Sequence, residues 1–373
     1  MKLFKAQIIL AIIGLNTLMP TILTAQDIAI KLNPEKVYLI KSNNQQFVNC
    51  DFYLESTHKD TLHLTKLEIR LFDDNGRLLL QKYVTSKGIS PSILTIPDRK
   101  LIKDKTLLVF NPFHTFDADI PVASFEFKFT LTKSDGSASF EEKISVVPNN
   151  AKTKTKLIFP IQNVATLIRD GNDFYAHHRR FDLSSFPVQM FNITKHGNRY
   201  SYDFCPVNTD GELFKNNGES VEDWFGFGTD IVATADGTIV EMYNNAIDSK
   251  IGEIDFDYRE AATNHTLIYG NYIIIDHQNG EFSGYMHLKK GSVKLKVGDK
   301  VKQGDIIAQL GNSGDAFSPH LHYQLNNATT LLNSDGIHIY FSDYQRVFGK
   351  KQIDVEKGYM DTGEIVRAKN IQK

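Results

Sequence analysis

SPHLHYQL, residues 318–325, sets two histidines either side of a leucine and runs on in strict alternation. Successive side chains of a β-strand point to opposite faces, so His320, His322 and Gln324 share one surface and Leu321, Tyr323 and Leu325 the other. The apolar face is a core face. The other is wet or carries chemistry. Upstream, SGYMHLKKG places His287 on the face of Tyr285, opposite Met286 and Leu288, and HGNRYSYDF turns Asp203 away from Tyr202 and Phe204. The runs TDIVATADGTIVEM, NYIIID and GDKVKQGDIIAQLG read as further strands, with Asp236-Gly237 and Asn279-Gly280 as hairpin turns.

The first half carries the same signal. DIAIKLN, KVYLIK, FVNCDFYL, LTKLEIRLFD, LLLQKYV, TLLVFNPF and SFEFKFTLTK are short β-rich runs between turn residues such as Asp74-Asn75-Gly76. Seven of them within roughly 120 residues predict an immunoglobulin-like β-sandwich over 26–150. Its histidines, His58, His63 and His114, are scattered, so no catalytic cluster is expected there and the half is assigned binding or spacing. A polar, basic stretch at 146–160 reads as the linker. The fold class is therefore mainly β, in two units, with a second unit over 151–347 and a tail over 348–373.

The length of 373 residues, 41% hydrophobic, suffices for two or three domains with real cores. A formal charge of −2 gives no nucleic-acid footprint. Residues 1–25 put Lys2 and Lys5 ahead of an apolar run and end in Thr24-Ala25, which is read as a secretory signal peptide; the mature protein is expected to be secreted or periplasmic, with no membrane span. Two cysteines, Cys50 and Cys205, do not make a disulfide framework, and whether they pair is left open.

Taken together, GTIVEM and the span from GNYIIIDHQNGEFSGYMHL to GNSGDAFSPHLHYQL resemble the catalytic domain of lysostaphin/LytM-type zinc metallopeptidases. In that family a His and an Asp come first, a Tyr-x-His-Leu segment follows, and a Gly-Asn-[Ser/Thr]-Gly loop precedes Pro-His-Leu-His. The resemblance covers roughly residues 190–326 and implies an antiparallel, barrel-like β domain. It further implies one zinc per chain on His196, Asp203 and His322, with His287 and His320 as catalytic residues beside a metal-activated water. Hydrolytic zinc sites take three protein ligands and keep a fourth position open.

Two departures from the family pattern stand out. Six residues separate His196 from Asp203, where the common form has three, and His177 or His178 in YAHHRRFDL are the substitutes for His196. Gly197 and Asn198 are the residues expected to turn the chain between the two ligands through positive φ. The long segment at 205–228, with Trp224, Phe225 and Phe227, is either a groove wall or an aromatic plug.

The resemblance implies a secreted zinc metalloendopeptidase acting on peptidoglycan peptides. The alternatives are a lapsed, peptidase-like binding or regulatory module and an endopeptidase acting on proteins. A lipoyl- or biotinyl-carrier reading of the hairpin near 293–310 lacks a lysine placed for modification.

Overall fold

In the computed structural model the described residues are 27–41, 45–150 and 152–369; the signal-peptide stretch lies outside them. The alternation seen in sequence becomes burial. Along Ser124–Lys133 the side chains of Phe125, Phe127, Phe129 and Leu131 point inward while the residues between them are partly exposed. This strand pairs antiparallel with Leu62–Phe72 on one side and Ser139–Val146 on the other. Leu78–Thr85 and Lys100–Leu101 complete a five-stranded sheet.

Ile28–Asn33, Asp51–Ser56 and Leu107–Val109 form a second sheet, and Tyr38–Lys41, Gln45–Val48, Thr115–Asp117 and Asn149–Asn150 a third. Phe52 meets Phe127 and Phe129 edge-on across the gap between two of these sheets, at 4.7 and 5.0 Å between centroids, inside one shared apolar core. A mainly β unit is what the sequence predicted, and the division into three sheets is not. The immunoglobulin-like form of the sandwich is not established by these sheets.

After the linker an eleven-stranded sheet takes over. Its centre runs Thr166–Asp170, Tyr202–Pro206, Leu321–Asn326, Phe282–Leu288, Asn271–Asp276 and Gly237–Tyr243, all antiparallel. Among the described residues it is open, ending at Lys300–Val301 on one side and Leu157–Ile158 on the other, so the barrel-like form expected from sequence does not close. Asp230–Val232 and Ile306–Gln309 pair separately and cover part of the core. Residues 351–358 and 365–368, inside the expected tail, are strands, the second bridging Phe341–Phe348 and Thr166–Asp170. The pattern there is short and charged, which hid it.

The two units touch. Phe47 packs on Tyr359 at 4.6 Å, the Tyr340 hydroxyl donates to the Lys41 carbonyl, and Ile40 and Tyr200 share the same small cluster. Cys50 and Cys205 are both free and buried, and burial pushes each thiol up to about 12.

Candidate metal centre

Three neighbouring strands bring the chemistry into one row. Asp170 lies opposite Asp203, and Asp203 opposite His322, on Thr166–Asp170, Tyr202–Pro206 and Leu321–Asn326. Leu321, Tyr323 and Leu325 enter the core as the alternation predicted, which leaves His322 and Gln324 on the opposite face. His322 Nδ1 lies 3.2 Å from Asp203 Oδ1, and His320 Nε2 lies 3.6 Å from the same oxygen.

The third member of the row is not His196. His178 takes that place, with Nε2 3.7 Å from Asp203 Oδ1, and ligand atoms of His178, Asp203 and His322 all lie within 4.8 Å of one another. His196 is buried one layer behind, where its Nε2 donates to the His178 backbone carbonyl at 2.6 Å and its ring packs on Phe181. The chain between His196 and Asp203 makes turns before the strand starts at Tyr202, so the two side chains never face a common point. Gly197 does not adopt positive φ; it is needed because a Cβ would stand 1.8 Å from the Leu331 carbonyl oxygen.

His178 belongs to a turn without regular structure at 177–180, and Asp170 ties it down. The Asp170 carboxylate accepts the backbone N–H groups of His177 and His178 at 2.8 and 3.1 Å and lies 2.6 Å from His178 Nδ1. Burial opposes ionisation of Asp170, yet the histidine contacts outweigh it and hold the carboxyl well below the ordinary range.

Two ring nitrogens are turned away from the row. His178 Nδ1 lies 2.6 Å from Asp170 Oδ2, close but not aligned as a hydrogen bond, and His322 Nε2 donates to Gln324 Oε1 at 2.9 Å. The Gln324 amide is itself oriented, since its Nε2 donates to Asn326 Oδ1 and the Leu331 carbonyl. With those protons placed outward, His178 Nε2 and His322 Nδ1 present lone pairs toward Asp203. This is the tautomer pattern of metal-binding imidazoles held from behind.

Asp203 is buried, which raises its pKa, but the facing imidazoles of His320, His178 and His322, with Arg169, keep it ionised, well below the usual carboxylate range. Arg169 donates to Asp203 Oδ2 at 3.1 Å and to Ser318 Oγ at 2.8 Å, tying the aspartate to the segment that carries His320.

His287 reaches the site by breaking its strand. Alternation would leave it with Tyr285, whose ring lies in the core and whose hydroxyl bonds Thr234. A φ of 59° at His287 instead sets its ring 4.7 Å from His320 and 5.9 Å from His322. Its Nδ1 donates to the Ser313 carbonyl at 2.9 Å, and His320 Nδ1 donates to the Ser318 carbonyl at 2.8 Å. Both therefore carry a free lone pair on Nε2. Burial lowers His287 to about 3 and puts His320 well below its ordinary value, so both are neutral at pH 7. The loop at 311–314 that supplies the Ser313 carbonyl is locked by close backbone approach: Cβ atoms at Gly270 and Gly314 would stand 2.4 Å from each other's loops, and both residues have positive φ.

Residues 222–334 match the model of Peptidase family M23. The chain carries an M23 domain. His287, His320 and His322 lie inside the matched residues; His178 and Asp203 precede them. An uncharacterized metalloprotease of Buchnera aphidicola is 28% identical over 185 residues, 49% of this chain and 42% of the relative. The peptidoglycan DD-endopeptidase ShyA of Vibrio cholerae is 45% identical over 56 residues, 15% of this chain and 13% of the relative. The chain thus spans less than half the length of these curated relatives. Among solved structures, the catalytic domain of the antimicrobial peptidase lysostaphin from Staphylococcus simulans aligns over 37% of this chain and 74% of its own at 27% identity, with a TM-score of 0.22.

Sequence reasoning ranked His178 below His196 and missed Asp170 and Arg169. The usable signal was the adjacency of Arg169-Asp170 at a strand end to His177-His178 seven residues on. His177 is two-thirds exposed; it meets Asp170 at 3.2 Å and packs its ring on His178 at 4.0 Å, and these three form a second, more open group of possible ligands. The 205–228 segment packs largely on itself, with Trp224 stacked obliquely on Phe214 and donating to the Gly218 carbonyl.

Proposed function

We propose that the protein is a zinc metalloendopeptidase of the M23 type that acts outside the cytoplasm on peptidoglycan peptides. The observation that carries this reading is the convergence of His178 Nε2, Asp203 and His322 Nδ1, each imidazole held in the required tautomer by a partner behind it. A mixed nitrogen–oxygen set of three is the donor chemistry of hydrolytic zinc sites. Bound there, the metal would supply Lewis acidity toward a water and toward the scissile carbonyl.

The residues of the chain do the rest. His320, neutral and with its Nε2 lone pair free, accepts the proton of the attacking water. Once protonated it returns that proton to the departing amine. His287, its Nδ1 proton committed to Ser313, turns a neutral Nε2 lone pair toward the same space and accepts a hydrogen bond from the attacking water, which holds that water in line. Arg169 keeps Asp203 ionised and aligned. The wall assignment is supported by the peptidoglycan endopeptidase among the relatives. Export is supported by the lysine-flanked apolar start of the sequence.

Incubating the zinc-loaded full chain with purified muropeptides, and separately with a denatured protein, tests this reading. New amino termini in the muropeptides, identified by mass spectrometry and abolished by chelation, are expected. Cleavage of the protein alone would move the substrate class to proteins. No cleavage of either by a chain holding stoichiometric zinc would favour the binding-module alternative.

A further inference from the structure

The sequence assigns the amino-terminal unit no part in the chemistry, yet its most buried charge lies against the metal-site turn. Asp51 is 1% exposed, and both arginines beside it, Arg179 and Arg199, are 2% exposed. Arg179 reaches Asp51 Oδ1 at 3.2 Å and Arg199 reaches Asp51 Oδ2 at 3.2 Å, with a further bond from Arg199 to Asn49 at 2.6 Å. Arg179 directly follows His178 in the chain.

Two guanidinium groups on one carboxylate leave a positive charge in excess in a buried place. Such an arrangement is a poor source of stability, because desolvation of the ions offsets much of their attraction. What it does supply is geometry. Asp51 also accepts the Asn111 backbone N–H at 3.0 Å, and from the same part of the unit Arg180 lies over Phe110 at 4.1 Å while His114 stacks on Phe174 at 4.8 Å. The Leu183 backbone N–H donates to Tyr53 Oη, two residues beyond Asp51. The 174–183 segment has no strand pairing of its own. Asp170 holds it from the catalytic sheet, and the Asp51 strand with the 110–114 loop holds its other side.

We propose that the amino-terminal unit is a built-in part of the metal centre, with Asp51 as a positioning residue that fixes His178 through Arg179 and, from beneath, through Arg199. The inference rests on the zinc-site reading above. Without the Asp51 contacts, Arg179 loses its anchor directly beside His178, and the third ligand is less firmly pre-placed. Partners behind metal ligands typically contribute tenfold to a hundredfold in affinity.

Cobalt(II) titration of the full chain, read by its visible absorption, tests this alongside urea unfolding of the metal-free protein. Asp51→Asn is expected to weaken cobalt binding about tenfold or more. Arg180→Ala, which leaves the buried charges in place, should weaken it about threefold. Tyr340→Phe cuts an inter-unit bond, to the Lys41 carbonyl, that involves neither Asp51 nor the turn, and should leave cobalt affinity at the wild-type value. Wild-type affinity in folded Asp51→Asn, or in Arg180→Ala where the first variant does not fold, overturns the proposal. So does an equal loss in Tyr340→Phe, because the effect would then be general loosening. Failure of the wild-type chain to bind either cobalt or zinc would instead overturn the zinc-site reading itself, and this inference with it.

Discussion

At the scale of single residues, the two histidines 178 and 196 show how a small displacement separates a ligand from its support. Both are buried, and they are joined by one hydrogen bond. His178→Ala should reduce zinc, measured by metal analysis, to near background, because a site with two remaining ligands holds metal poorly. His196→Ala should keep zinc at saturating concentrations but lower unfolding stability by about 2 kcal/mol, since it orphans a buried carbonyl and opens a cavity. His177→Ala should change neither. A zinc-free His196→Ala together with a zinc-loaded His178→Ala would restore the assignment made from sequence. The sequence could rank these candidates only by spacing, and spacing along the chain says nothing about which of two turns folds over Asp203.

Among the elements, the Leu321–Asn326 strand was the most legible, because period 2 is a local property. His322 and Gln324 fall on one face as predicted, and Asn326 continues it as one polar ladder: Asn326 donates to the carbonyls of Gly197 and Leu331 and to Ser334 Oγ. That ladder explains Gly197. Its neighbour there is backbone, which cannot swing aside. Gly197→Ala should therefore cost about 3 kcal/mol or more and shift the thermal midpoint down steeply, with the loss carried to zinc affinity through Asn326 and Gln324. An unchanged midpoint would mean the 331–336 turn gives way easily. His287 is the opposite case: its strand was read correctly and its face wrongly, because one residue with positive φ reverses the side chain and period alone cannot show that.

Across the whole molecule, the interface between the two units holds a second buried histidine with a measurable signature. His338 sits among the rings of Phe47, Tyr200, Tyr340 and Tyr359, with Lys357 over Tyr340, and burial lowers it to about 3. Its folded pKa lies below the unfolded value of about 6.5, so the unfolded chain takes up the proton first as pH falls. This contribution is complete above about pH 6.5, is lost progressively toward pH 3 and is constant below. The loss amounts to about 2 kcal/mol at pH 5. His338→Phe, which keeps a ring in the cage, should narrow the difference between urea midpoints at pH 7.5 and pH 5 by that amount. An undiminished difference would show that the ring reaches water before it charges.

Alternating runs and turn dipeptides were enough to establish a mainly β chain, because strand faces and tight turns are decided by neighbours a few residues apart. Asp203, His287, His320 and His322 were named from the resemblance to the family, whose motifs are short and contiguous in the chain. What tertiary structure alone shows is the placing of His178 beside Asp203 and His322, the open sheet, the strands at the carboxy end and the buried ion pairs of Asp51. The Asp51–Arg179 pair and the pairing of the carboxy-end strand with Thr166–Asp170 join residues more than a hundred positions apart. Contacts at that separation leave no period in the chain; they exist only once the sheets have brought Asp51 and His178 to the same place.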